Sequence, residues 1–481
     1  MPSETLKSVH ITNYYHKNSG GISTSYNNLL AAAERHKRFV RLIVPGETEA
    51  VEDVNPFAKI YYVPAKQSPI LDKRYRVMMP WQYMLADSII RKILLDEMPD
   101  MVEITDKYTL SLFGVMVRKK GFQQLGRPML VHFSCERMDD NIASFVTKRK
   151  WGSWLARRII GNYTMPSFDY HIANSTYTAE EFQDSLSPEK NPRRSNAFLN
   201  WCWRFFRAAR VPVSERIFVC PRGVDSIHFT PDRISDDVRL EMIERSGIPE
   251  NAVILLYAGR ISPEKNIGLL VDLMKILAKD PSQDYRLLVA GAGPQSDWLE
   301  EQTRGLFPNK VIQLGHLDKE TLANYYANAD VFVHPNPKEP FGIAPLEAMA
   351  SGAPTVAPNA GGILSYATNE NAWLIEPNGE AFANAIREVV NDASLRERKI
   401  ANALETARAN TREASTDNLF ATYDKLYEDF QSRLELFTDI EKSKEFDFIT
   451  MFSASASAAS ALKTQSNAEI AETDAEDAKP T

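Results

Sequence analysis

Two glutamates, Glu339 and Glu347, stand eight positions apart in the stretch EPFGIAPLE, and the second lies inside a predicted helix. The first turn of a helix carries amides without intrahelical acceptors and the positive end of the helix dipole, so the amides near Ile343 and Ala344 suit a phosphate. Glu347, one turn further on, can accept two hydrogen bonds from the vicinal diol of a ribose, and Glu339 can do the same for sugar hydroxyls. A nucleotide sugar would use every part of this arrangement.

Two further stretches carry groups that suit phosphate. AGRISPEKN follows the predicted strand AVILLY, which puts Arg260 and Lys265 beyond its carboxyl end. Two cations there would neutralise a diphosphate leaving group as it departs. NSGGIS joins the first predicted strand to the first helix, and Gly20 and Gly21 would let backbone amides approach a phosphate or a substrate closely.

The elements that position these residues follow from the alternation of short apolar runs with helical patterns, which is typical of a parallel α/β architecture. We expect a helix over residues 84–98. Predicted strands of the first half are SVHITNYY, FVRLIVPG, MVEIT, PMLVHFS and DYHIANS. Those of the second half are RIFVCPRG, AVILLYAGR, YRLLVAGAG, KVIQLG, DVFVHPN and PTVAPN. Ligands of open parallel sheets bind beyond the carboxyl ends of the strands, so we expect two doubly wound, Rossmann-like domains that face an interdomain cleft.

The stretch EPFGIAPLEAMASGAPTV closely resembles the E-P-F-G-x-x-x-x-E motif of the family 4 retaining glycosyltransferases, which have the GT-B fold. The resemblance covers roughly residues 8 to 430. Further motifs match in the right order: GGIS at 20–23, PRGVD at 221–225, AGRISPEKN at 258–266 and LVAGAGP at 288–294. The resemblance implies a hexosyltransferase that moves a hexose from a nucleotide sugar to an acceptor.

The resemblance also implies roles for particular residues. His132, at the end of PMLVHFS, matches the position of a cleft histidine that hydrogen-bonds the transferred sugar, and Arg260 and Lys265 match the diphosphate-binding pair. The implied catalytic residues are His132, Arg260, Lys265 and Glu339. The implied donor-binding residues are Gly20, Gly21, Arg260, Lys265, Phe341, Gly342, Ile343, Ala344 and Glu347. Glu103, in MVEITDKY, is equally open to a structural role and to contact with the acceptor. GAGP at 291–294 lacks the third glycine of a dinucleotide fingerprint and is interpreted as a tight turn lining the cleft.

No D-x-D motif occurs in the chain, which disfavours a metal-bridged diphosphate, so Arg260 and Lys265 are expected to replace the metal and no cofactor is expected. Retention of the anomeric configuration, by a front-face substitution in which the departing phosphate accepts the proton of the acceptor hydroxyl, is implied by the resemblance. The base and sugar of the donor stay open, with GDP-mannose and UDP-glucose as equal candidates.

Composition excludes several classes of protein. The chain has 481 residues, of which 44% are hydrophobic and 25% charged, as in soluble globular proteins. No run of 18 apolar residues suggests a membrane span, and the N-terminus lacks a secretory signal, so a cytoplasmic location is expected. Cys135, Cys202 and Cys220 share no close spacing and are expected to be reduced. A net charge of -7 gives no reason to expect nucleic-acid binding.

Four segments are predicted. Residues 1–212 form an N-terminal, acceptor-binding Rossmann-like domain, and residues 213–410 form a C-terminal domain that binds the nucleotide sugar. Residues 411–440 form a helix that packs back across the domains. Residues 441–481 are small, polar and finally acidic, which predicts a disordered tail.

The chain departs from the family pattern at an insertion of residues 187–212. A helical wheel puts Asn200, Arg204 and Arg207 on one face of an amphipathic helix, with aromatic and apolar residues over most of the rest. Upstream, KRKWGSWLARR at 148–158 carries five basic residues and no acidic one. Arginines beside interfacial aromatics suit an anionic bilayer, so we expect docking on the inner face of a membrane through residues 148–158 and 193–210, with a lipid acceptor.

Other functions stay open at this point. The insertion could instead cover the core of its own domain or a dimer partner. The acceptor could be a soluble sugar or polysaccharide. A sugar-nucleotide epimerase on the same fold and a non-catalytic binding module are the remaining competitors; the E-P-F-G stretch fits the epimerase poorly, and the intact charged residues argue against the module.

Overall fold

The computed structural model describes residues 6–15, 21–67, 76–145 and 149–452. These residues form two compact units. The N-terminal unit takes the described residues of 1–143, 147–220 and 419–481, and the C-terminal unit takes those of 144–146 and 221–418. The chain thus divides after residue 220, a little beyond the predicted boundary at 212, and returns to the N-terminal unit near its end.

The N-terminal unit contains ten strands and nine α-helices before residue 220 in the described part of the chain. The strands are β1 (Ser8–Ile11), β2 (Val40–Gly46), β3 (Ala50–Asn55), β4 (Ala58–Pro64), β5 (Lys66–Gln67), β6 (Arg76–Val77), β7 (Met101–Ile104), β8 (Met129–Ser134), β9 (Tyr170–Ala173) and β10 (Ile217–Val219). The helices are α1 (Gly21–His36), α2 (Trp81–Met84), α3 (Ile89–Glu97), α4 (Ser111–Arg118), α5 (Met138–Phe145), α6 (Lys150–Ile159), α7 (Met165–Ser167), α8 (Thr176–Leu186) and α9 (Asn196–Phe205).

The main sheet of this unit has eight strands in the order β10-β9-β8-β7-β1-β2-β4-β3. All neighbours pair in parallel except β3 and β4, which form an antiparallel hairpin at the edge. The order runs away from β1 in both directions, so β1 and β7 form the switch point at which such sheets bind ligands. The five predicted strands of the first half are confirmed, whereas the edge hairpin was not predicted. The helix expected over 84–98 begins later, at Ile89, after the N-cap residue Ser88.

The C-terminal unit is built on a second parallel sheet. Its strands are β11 (Val253–Ala258), β12 (Tyr285–Ala290), β13 (Val311–Gly315), β14 (Val331–Val333), β15 (Thr355–Pro358) and β16 (Trp373–Ile375). Its helices are α10 (Asp236–Ser246), α11 (Gly268–Leu277), α12 (Ser296–Arg304), α13 (Lys319–Asn328), α14 (Ile343–Ala350), α15 (Gly379–Asn391) and α16 (Ala393–Ala409). The strand order β13-β12-β11-β14-β15-β16 is that of a doubly wound dinucleotide-type sheet, with its switch point between β11 and β14. The predicted fold class is confirmed in both units. One strand was assigned to the wrong half of the chain: RIFVCPRG, predicted in the second half, forms β10 at the edge of the N-terminal sheet.

The last described segment completes the core of the N-terminal unit. It contains α17 (Arg412–Ser432), α18 (Leu434–Thr438) and α19 (Ile440–Glu445). Phe420, Tyr423 and Phe430 of α17 are buried with residues of β2, β4 and β9. The predicted helix over 411–440 is therefore present as α17 and α18, and from residue 419 it belongs to the N-terminal unit.

The disordered tail does not begin at residue 441. After α19, Phe448 and Phe452 are fully buried or nearly so, and both rings contact Trp203 of α9, with centroids 5.5 and 4.9 Å away. Burial of two phenylalanines against a tryptophan stabilises this segment, in which the apolar run FDFITMF at 446–452 precedes the polar stretch. The rest of the predicted tail, residues 453–481, lies outside the described residues. Within the described ranges, no helix combines the length and apolar character needed to span a bilayer.

Candidate functional site

The topology of the C-terminal sheet brings the two charged stretches together. β11 and β14 are hydrogen-bonded neighbours, with Leu255 opposite Val331. Arg260 and Lys265 follow the carboxyl end of β11, and Glu339 follows the carboxyl end of β14, so all three belong to the switch point of this sheet. The predicted convergence of the two motifs is therefore present.

Lys265 and Glu339 form a direct ion pair. Lys265 Nζ donates to both carboxylate oxygens of Glu339, at 2.9 and 2.7 Å. The next residue, Asn266, donates from its amide nitrogen to the backbone oxygen of Pro335 at 2.9 Å, which ties the loop after β11 to the loop after β14. The short helical turn Pro263–Lys265 thus holds its lysine against the neighbouring strand.

Two residues that the sequence did not single out complete the surroundings of Glu339. Asn336 Nδ2 donates to Glu339 Oε2 at 2.9 Å, and the ring of buried His334 lies 3.9 Å from the same oxygen. Burial opposes ionisation of Glu339, but Lys265, His334 and Asn336 together outweigh it and lower its pKa to about 2. Burial lowers the pKa of His334 to about 4, so this histidine is neutral at pH 7. Both residues lie at the carboxyl end of the predicted strand DVFVHPN, and polar residues at that end were the signal that could have found them.

The loop between β14 and α14 carries the E-P-F-G motif in a defined conformation. Gly342 precedes the helix with φ of 88°, a left-handed conformation that favours glycine. Its carbonyl accepts a hydrogen bond from the Tyr366 hydroxyl, and the ring of buried Phe341 packs on Tyr366 at 5.2 Å. Ile343 and Ala344 begin α14, so their amides belong to the first turn, which has no intrahelical acceptors.

Glu347 lies one turn into α14, as predicted. Its Oε2 accepts a hydrogen bond from the Tyr326 hydroxyl of α13 at 3.1 Å. Burial raises the pKa of Glu347 to about 7, because Tyr326 and the distant charge of Lys319 compensate only part of the lost hydration. Glu347 therefore changes charge near neutral pH, in contrast to Glu339, and Tyr326 is a contact that the sequence did not predict.

Arg260 stands at the other side of the β11 loop. Its backbone oxygen accepts a hydrogen bond from the Tyr257 hydroxyl at 2.9 Å, and its Nη1 lies 4.0 Å from a carboxylate oxygen of Glu264. Glu264 in turn accepts a hydrogen bond from Ser262 Oγ at 2.5 Å. Arg260 keeps 28% of its side chain exposed, so its guanidinium is accessible to an anion.

Glycines allow the loops of this site to pack backbone on backbone. A Cβ at Gly362 would lie 2.0 Å from the carbonyl oxygen of Pro340, and the Gly362 amide donates to the Glu339 carbonyl at 2.7 Å. A Cβ at Gly291 would lie 1.9 Å from the carbonyl oxygen of Gly259. The GAGP motif is therefore a close contact between the loops after β12 and β11, in agreement with the tight turn that was predicted there.

The PRGVD motif plays a structural part within the same unit. Asp225 forms ion pairs with Lys319 and Arg412, and burial, which opposes ionisation, is outweighed by these partners, so the pKa of Asp225 falls to about 2. A Cβ at Gly223 would lie 2.0 Å from the carbonyl oxygen of Thr411. The motif thus fastens the chain between α16 and α17 to the start of the unit.

The remaining predicted site residues belong to the N-terminal unit. His132 of β8 is fully buried between Phe168, His171 and Phe182, with ring centroids 5.3 to 5.7 Å away. Burial, with some repulsion from His171, lowers its pKa well below the usual range, and its Nε2 has no hydrogen-bond partner in the described part of the chain. Gly21 is the first residue of α1, and Gly20 lies outside the described residues.

Glu103 is a structural residue. It is 1% exposed, and its carboxylate accepts hydrogen bonds from Tyr26 and Tyr423 and lies 2.9 Å from His10 Nδ1. Because Tyr423 belongs to α17, this carboxylate fastens the returning helix to the sheet. Of the two roles left open for Glu103, the structure supports the structural one.

The insertion forms α9, but its faces differ from the helical wheel. Asn200 is buried and accepts a hydrogen bond from the Phe448 amide at 2.9 Å, so the face that carries it packs on the core together with Leu199, Cys202 and Trp203. Arg204 Nε donates to the Phe446 carbonyl at 2.8 Å. The polar face of the wheel is therefore wrong at Asn200, because the segment after α19 covers it.

An aromatic stripe is the exposed face of α9. Phe198, Trp201 and Phe205 are 51, 55 and 45% exposed, and their rings stack with centroids 5.8 and 5.3 Å apart. Lys119 Nζ lies 3.5 Å from the Phe205 ring centroid. On α6, Trp151 and Trp154 are similarly exposed. Two helices of the N-terminal unit thus present bulky aromatic side chains to solvent. Monomeric soluble proteins seldom expose such a surface unless it binds a partner or a membrane.

Comparisons with known proteins agree with this geometry. The sequence model of the family described as "Glycosyl transferases group 1" matches residues 238–406. A GDP-mannose-dependent alpha-(1-6)-phosphatidylinositol dimannoside mannosyltransferase of Mycobacterium tuberculosis is 26% identical over 399 residues, which cover 82% of this chain and 91% of the relative. A D-inositol 3-phosphate glycosyltransferase of Geodermatophilus obscurus is 37% identical over 221 residues, which cover 44% of this chain and 47% of that protein.

Solved structures share the fold. Anabaena HepE in complex with UDP and glucose superimposes with a TM-score of 0.61 at 16% identity, covering 87% of this chain and 100% of that chain. Sucrose-phosphate synthase of Thermosynechococcus elongatus superimposes with a TM-score of 0.62 at 20% identity, covering 88% of this chain and 100% of that chain.

Proposed function

We propose that this chain, which has the GT-B fold and matches the group 1 glycosyltransferase model over residues 238–406, moves a hexose from a nucleotide sugar to a membrane lipid with retention of the anomeric configuration. The observation that carries the donor half of this proposal is the Lys265 and Glu339 pair at the switch point of the C-terminal sheet, beside the first turn of α14. A nucleotide sugar requires groups that bind its phosphates and its hydroxyls. The loops at this switch point supply them as a helix end that suits phosphate, two cations and two buried carboxylates.

Each part of the donor has a partner in this arrangement. The diphosphate lies against Arg260, Lys265 and the amides of Ile343 and Ala344. Glu347 accepts hydrogen bonds from the ribose diol, and Glu339 accepts hydrogen bonds from hydroxyls of the transferred sugar. In the free enzyme Lys265 neutralises Glu339, and on donor binding the same ammonium is shared with the diphosphate, so the charge needed to stabilise the leaving group is already in place.

The reaction proceeds without a metal cofactor in this proposal. Arg260 and Lys265 stabilise the negative charge that grows on the diphosphate as the bond to the anomeric carbon breaks. The acceptor oxygen attacks the same face of the sugar, and a departing phosphate oxygen takes the hydroxyl proton. A sugar product with the same anomeric configuration as the donor, determined by NMR, supports this course. An inverted product, or a covalent glycosyl-enzyme trapped by mass spectrometry, overturns it.

GDP-mannose is the donor we favour over UDP-glucose. The support is the mycobacterial relative, whose name specifies GDP-mannose and whose similarity extends over most of both chains. That relative acts on phosphatidylinositol dimannoside, which is a lipid with a sugar headgroup. We therefore propose a glycolipid as the acceptor here, bound by the N-terminal unit.

The exposed aromatic stripe supports a membrane location for the acceptor. Phe198, Trp201 and Phe205 on α9, and Trp151 and Trp154 on α6, are the side chains that insert at the interface of a bilayer. Basic side chains accompany both groups: Lys119 lies over Phe205, and the Arg158 guanidinium lies 5.3 Å from the Trp154 ring centroid. We propose that the enzyme is cytoplasmic and peripheral on the inner face of the membrane, with anionic lipids opposite these cations.

The experiment that tests the function measures nucleoside diphosphate release, in the presence of EDTA, from GDP-mannose, UDP-glucose and ADP-glucose, with and without vesicles of mixed polar lipid. We expect release from GDP-mannose that rises when the lipid is present. If release rises only when a soluble sugar is added, the acceptor is a glycan and not a lipid. Conversion of the nucleotide sugar without diphosphate release indicates an epimerase, and no binding of any nucleotide overturns the proposed site.

A further inference from the structure

A cavity of about 400 Å³ lies in the N-terminal unit, and none of the residues assigned to sugar transfer lines it. It is formed where the chain passes from α4 to β8, at the amino ends of the sheet strands, and is closed by residues after α9 and by α18 and α19. Sugar-nucleotide and acceptor sites of such sheets lie at the opposite, carboxyl ends of the strands. The cavity therefore requires its own explanation.

Four basic side chains line this cavity, and no carboxylate does in the part of the chain that the structure describes. They are Arg118, Lys120, Arg127 and Arg207. Lys120 and Arg207 form no ion pair among the described residues, and both side chains are accessible to solvent. Phe122 and Phe437 provide apolar walls. A cavity that collects cations against apolar walls favours an anion over water.

One buried carboxylate, Asp169, lies behind two of these cations and is already fully used. It accepts hydrogen bonds from Arg118 Nη1 at 2.9 Å, from Arg127 at 2.7 and 2.8 Å, and from the Leu130 amide at 2.9 Å. A single carboxylate cannot balance four cations. Burial is the main cause that lowers the pKa of Arg118 to about 9; Asp169 opposes this shift, and Arg127 and Arg216 add to it.

The guanidinium of Arg118 has a donor left over. Its side chain is 1% exposed and lines the cavity, yet its Nη2 has no hydrogen-bond partner among the described residues. A buried charged donor without an acceptor is costly, and such groups are normally satisfied by a bound ion or water. The residue that carries this donor and the two cations without an ion pair, Lys120 and Arg207, line the same cavity.

We propose that this cavity binds a phosphate group through Arg118, Lys120, Arg127 and Arg207. Guanidinium groups match the geometry of phosphate oxygens and form short, charge-assisted hydrogen bonds with them. The phosphate has two possible sources, the headgroup of a membrane phospholipid and a free phosphorylated metabolite. The lipid source has an argument of its own, because Lys119, next in sequence to Lys120, lies over Phe205 at the end of the aromatic stripe, two residues before Arg207.

The test uses the full-length protein and two paired double variants. Lys120→Ala with Arg207→Ala removes the two accessible cations and leaves the Asp169 cluster intact. The matched control is Lys37→Ala with Lys92→Ala, which removes the same charge from exposed positions of the same unit. Lys37 also matches Lys120 in backbone conformation, with φ of 52° against 61°. Variants of Arg118 are avoided because they leave Asp169 partly unpaired in the core.

Two measurements separate the two sources. The first is calorimetric titration with inorganic phosphate, carried out in the Lys265→Ala background so that the donor site contributes little. The second is co-sedimentation with vesicles of phosphatidylglycerol and phosphatidylcholine, in a buffer that contains no inorganic phosphate. A free ligand predicts phosphate binding that is at least about tenfold weaker in the cavity variant than in the control. A lipid headgroup predicts vesicle binding that the cavity variant loses and the control keeps.

Equal phosphate binding and equal vesicle binding by the cavity variant and the control overturn the proposal. This outcome is independent of the sugar-transfer reaction, because none of the residues assigned to donor binding or sugar transfer lines this cavity. A cavity that binds phosphate in an inactive enzyme, or one that fails to bind it in an active enzyme, identifies which of the two proposals is wrong.

Discussion

Lys265 Nζ lies 2.9 and 2.7 Å from the two carboxylate oxygens of Glu339, which is 74 positions further along the chain. The pair joins the loops after two adjacent strands, β11 and β14, at the switch point of the C-terminal sheet. The contact joins the AGRISPEKN motif to the E-P-F-G motif. Substitution of either residue therefore tests the role of the pair.

Lys265→Ala should lower turnover by about a hundredfold or more, because it removes a preorganised cation from the leaving diphosphate. The measurement is nucleoside diphosphate release at saturating donor. Lys275→Ala is the matched control, since Lys275 is an exposed lysine of α11 that pairs with Asp272 at 2.9 Å. A wild-type rate in Lys265→Ala contradicts the assignment of the diphosphate site.

The low pKa of Glu339 predicts an acid-sensitive contribution to stability. Its pKa is about 2 in the folded chain against an ordinary 4.5, so the stabilisation is fully present above pH 4.5 and is lost as the pH falls towards 2. Glu339→Gln should therefore be less stable than wild type by roughly 3 kcal/mol at pH 6, with the difference shrinking on acidification. Urea denaturation of the two proteins at several pH values measures this. A difference that does not change with pH means that Lys265 does not stabilise the carboxylate.

Glu347, whose pKa is about 7, predicts that donor binding weakens in acid. The ionised carboxylate accepts both hydrogen bonds from a ribose diol, so the affinity for the nucleoside diphosphate should fall about tenfold between pH 8 and pH 6. Glu347→Gln should bind weakly and show no such pH dependence, and Glu347→Ala should also weaken donor use. Calorimetric titration over this pH range is the measurement. An unchanged pH dependence in Glu347→Gln assigns the titration to another group.

Gly362→Ala should destabilise the C-terminal unit by about 2 to 4 kcal/mol, because the new Cβ would lie 2.0 Å from the Pro340 carbonyl oxygen. The same collision shifts the loop that carries Glu339, so turnover should fall as well. Gly305→Ala is the control, since a Cβ there meets nothing within 4 Å. Chemical denaturation compares the two variants, and equal stabilities contradict the packing described here.

We expect that removing aromatic side chains from the stripe on α9 weakens membrane binding without lowering the stability of the fold. Trp201→Ala combined with Phe205→Ala should lose most binding to anionic vesicles, because two interfacial side chains no longer insert. The thermal midpoint should stay close to that of wild type. Trp81→Ala is a control, because Trp81 is 55% exposed, as Trp201 is, but lies outside the stripe. If the double variant and the Trp81→Ala control bind vesicles equally in co-sedimentation, the aromatic stripe is not the membrane-binding surface.

Much of the fold and part of the site follow from local sequence patterns. Buried parallel strands are continuous apolar runs, and ligand-binding residues follow the carboxyl ends of such strands, so the sequence predicted both sheets and placed Arg260, Lys265, Glu339 and Glu347 in loops or a helix at their edge. The edge hairpin of β3 and β4 was missed because β3, with the sequence AVEDVN, has no face that is wholly apolar, and all but its last residue are exposed.

The features that the sequence did not predict depend on contacts between distant positions. From the sequence, Asn200 is expected on the polar face of its helix. In the structure it is buried, because the backbone amide of Phe448, 248 positions away, donates a hydrogen bond to it. Phe448 and Phe452 belong to the short run FDFITMF, and they become core residues because Trp203, from a distant part of the chain, lies against them. The periodic spacing of apolar residues within one element does not predict such contacts, because the residue that buries each side chain belongs to another element.

The return of the chain to its first unit has a consequence for biosynthesis. The core that contains β2, β4 and β9 is filled by Phe420, Tyr423 and Phe430, which leave the ribosome only after the whole C-terminal unit has been made. A nascent chain stopped before residue 419 carries an N-terminal sheet with one side of its core uncovered and Glu103 without the Tyr423 hydroxyl. The later unit is therefore the first that can finish folding, and the N-terminal unit waits with exposed apolar surface, as a client for chaperones, until translation ends.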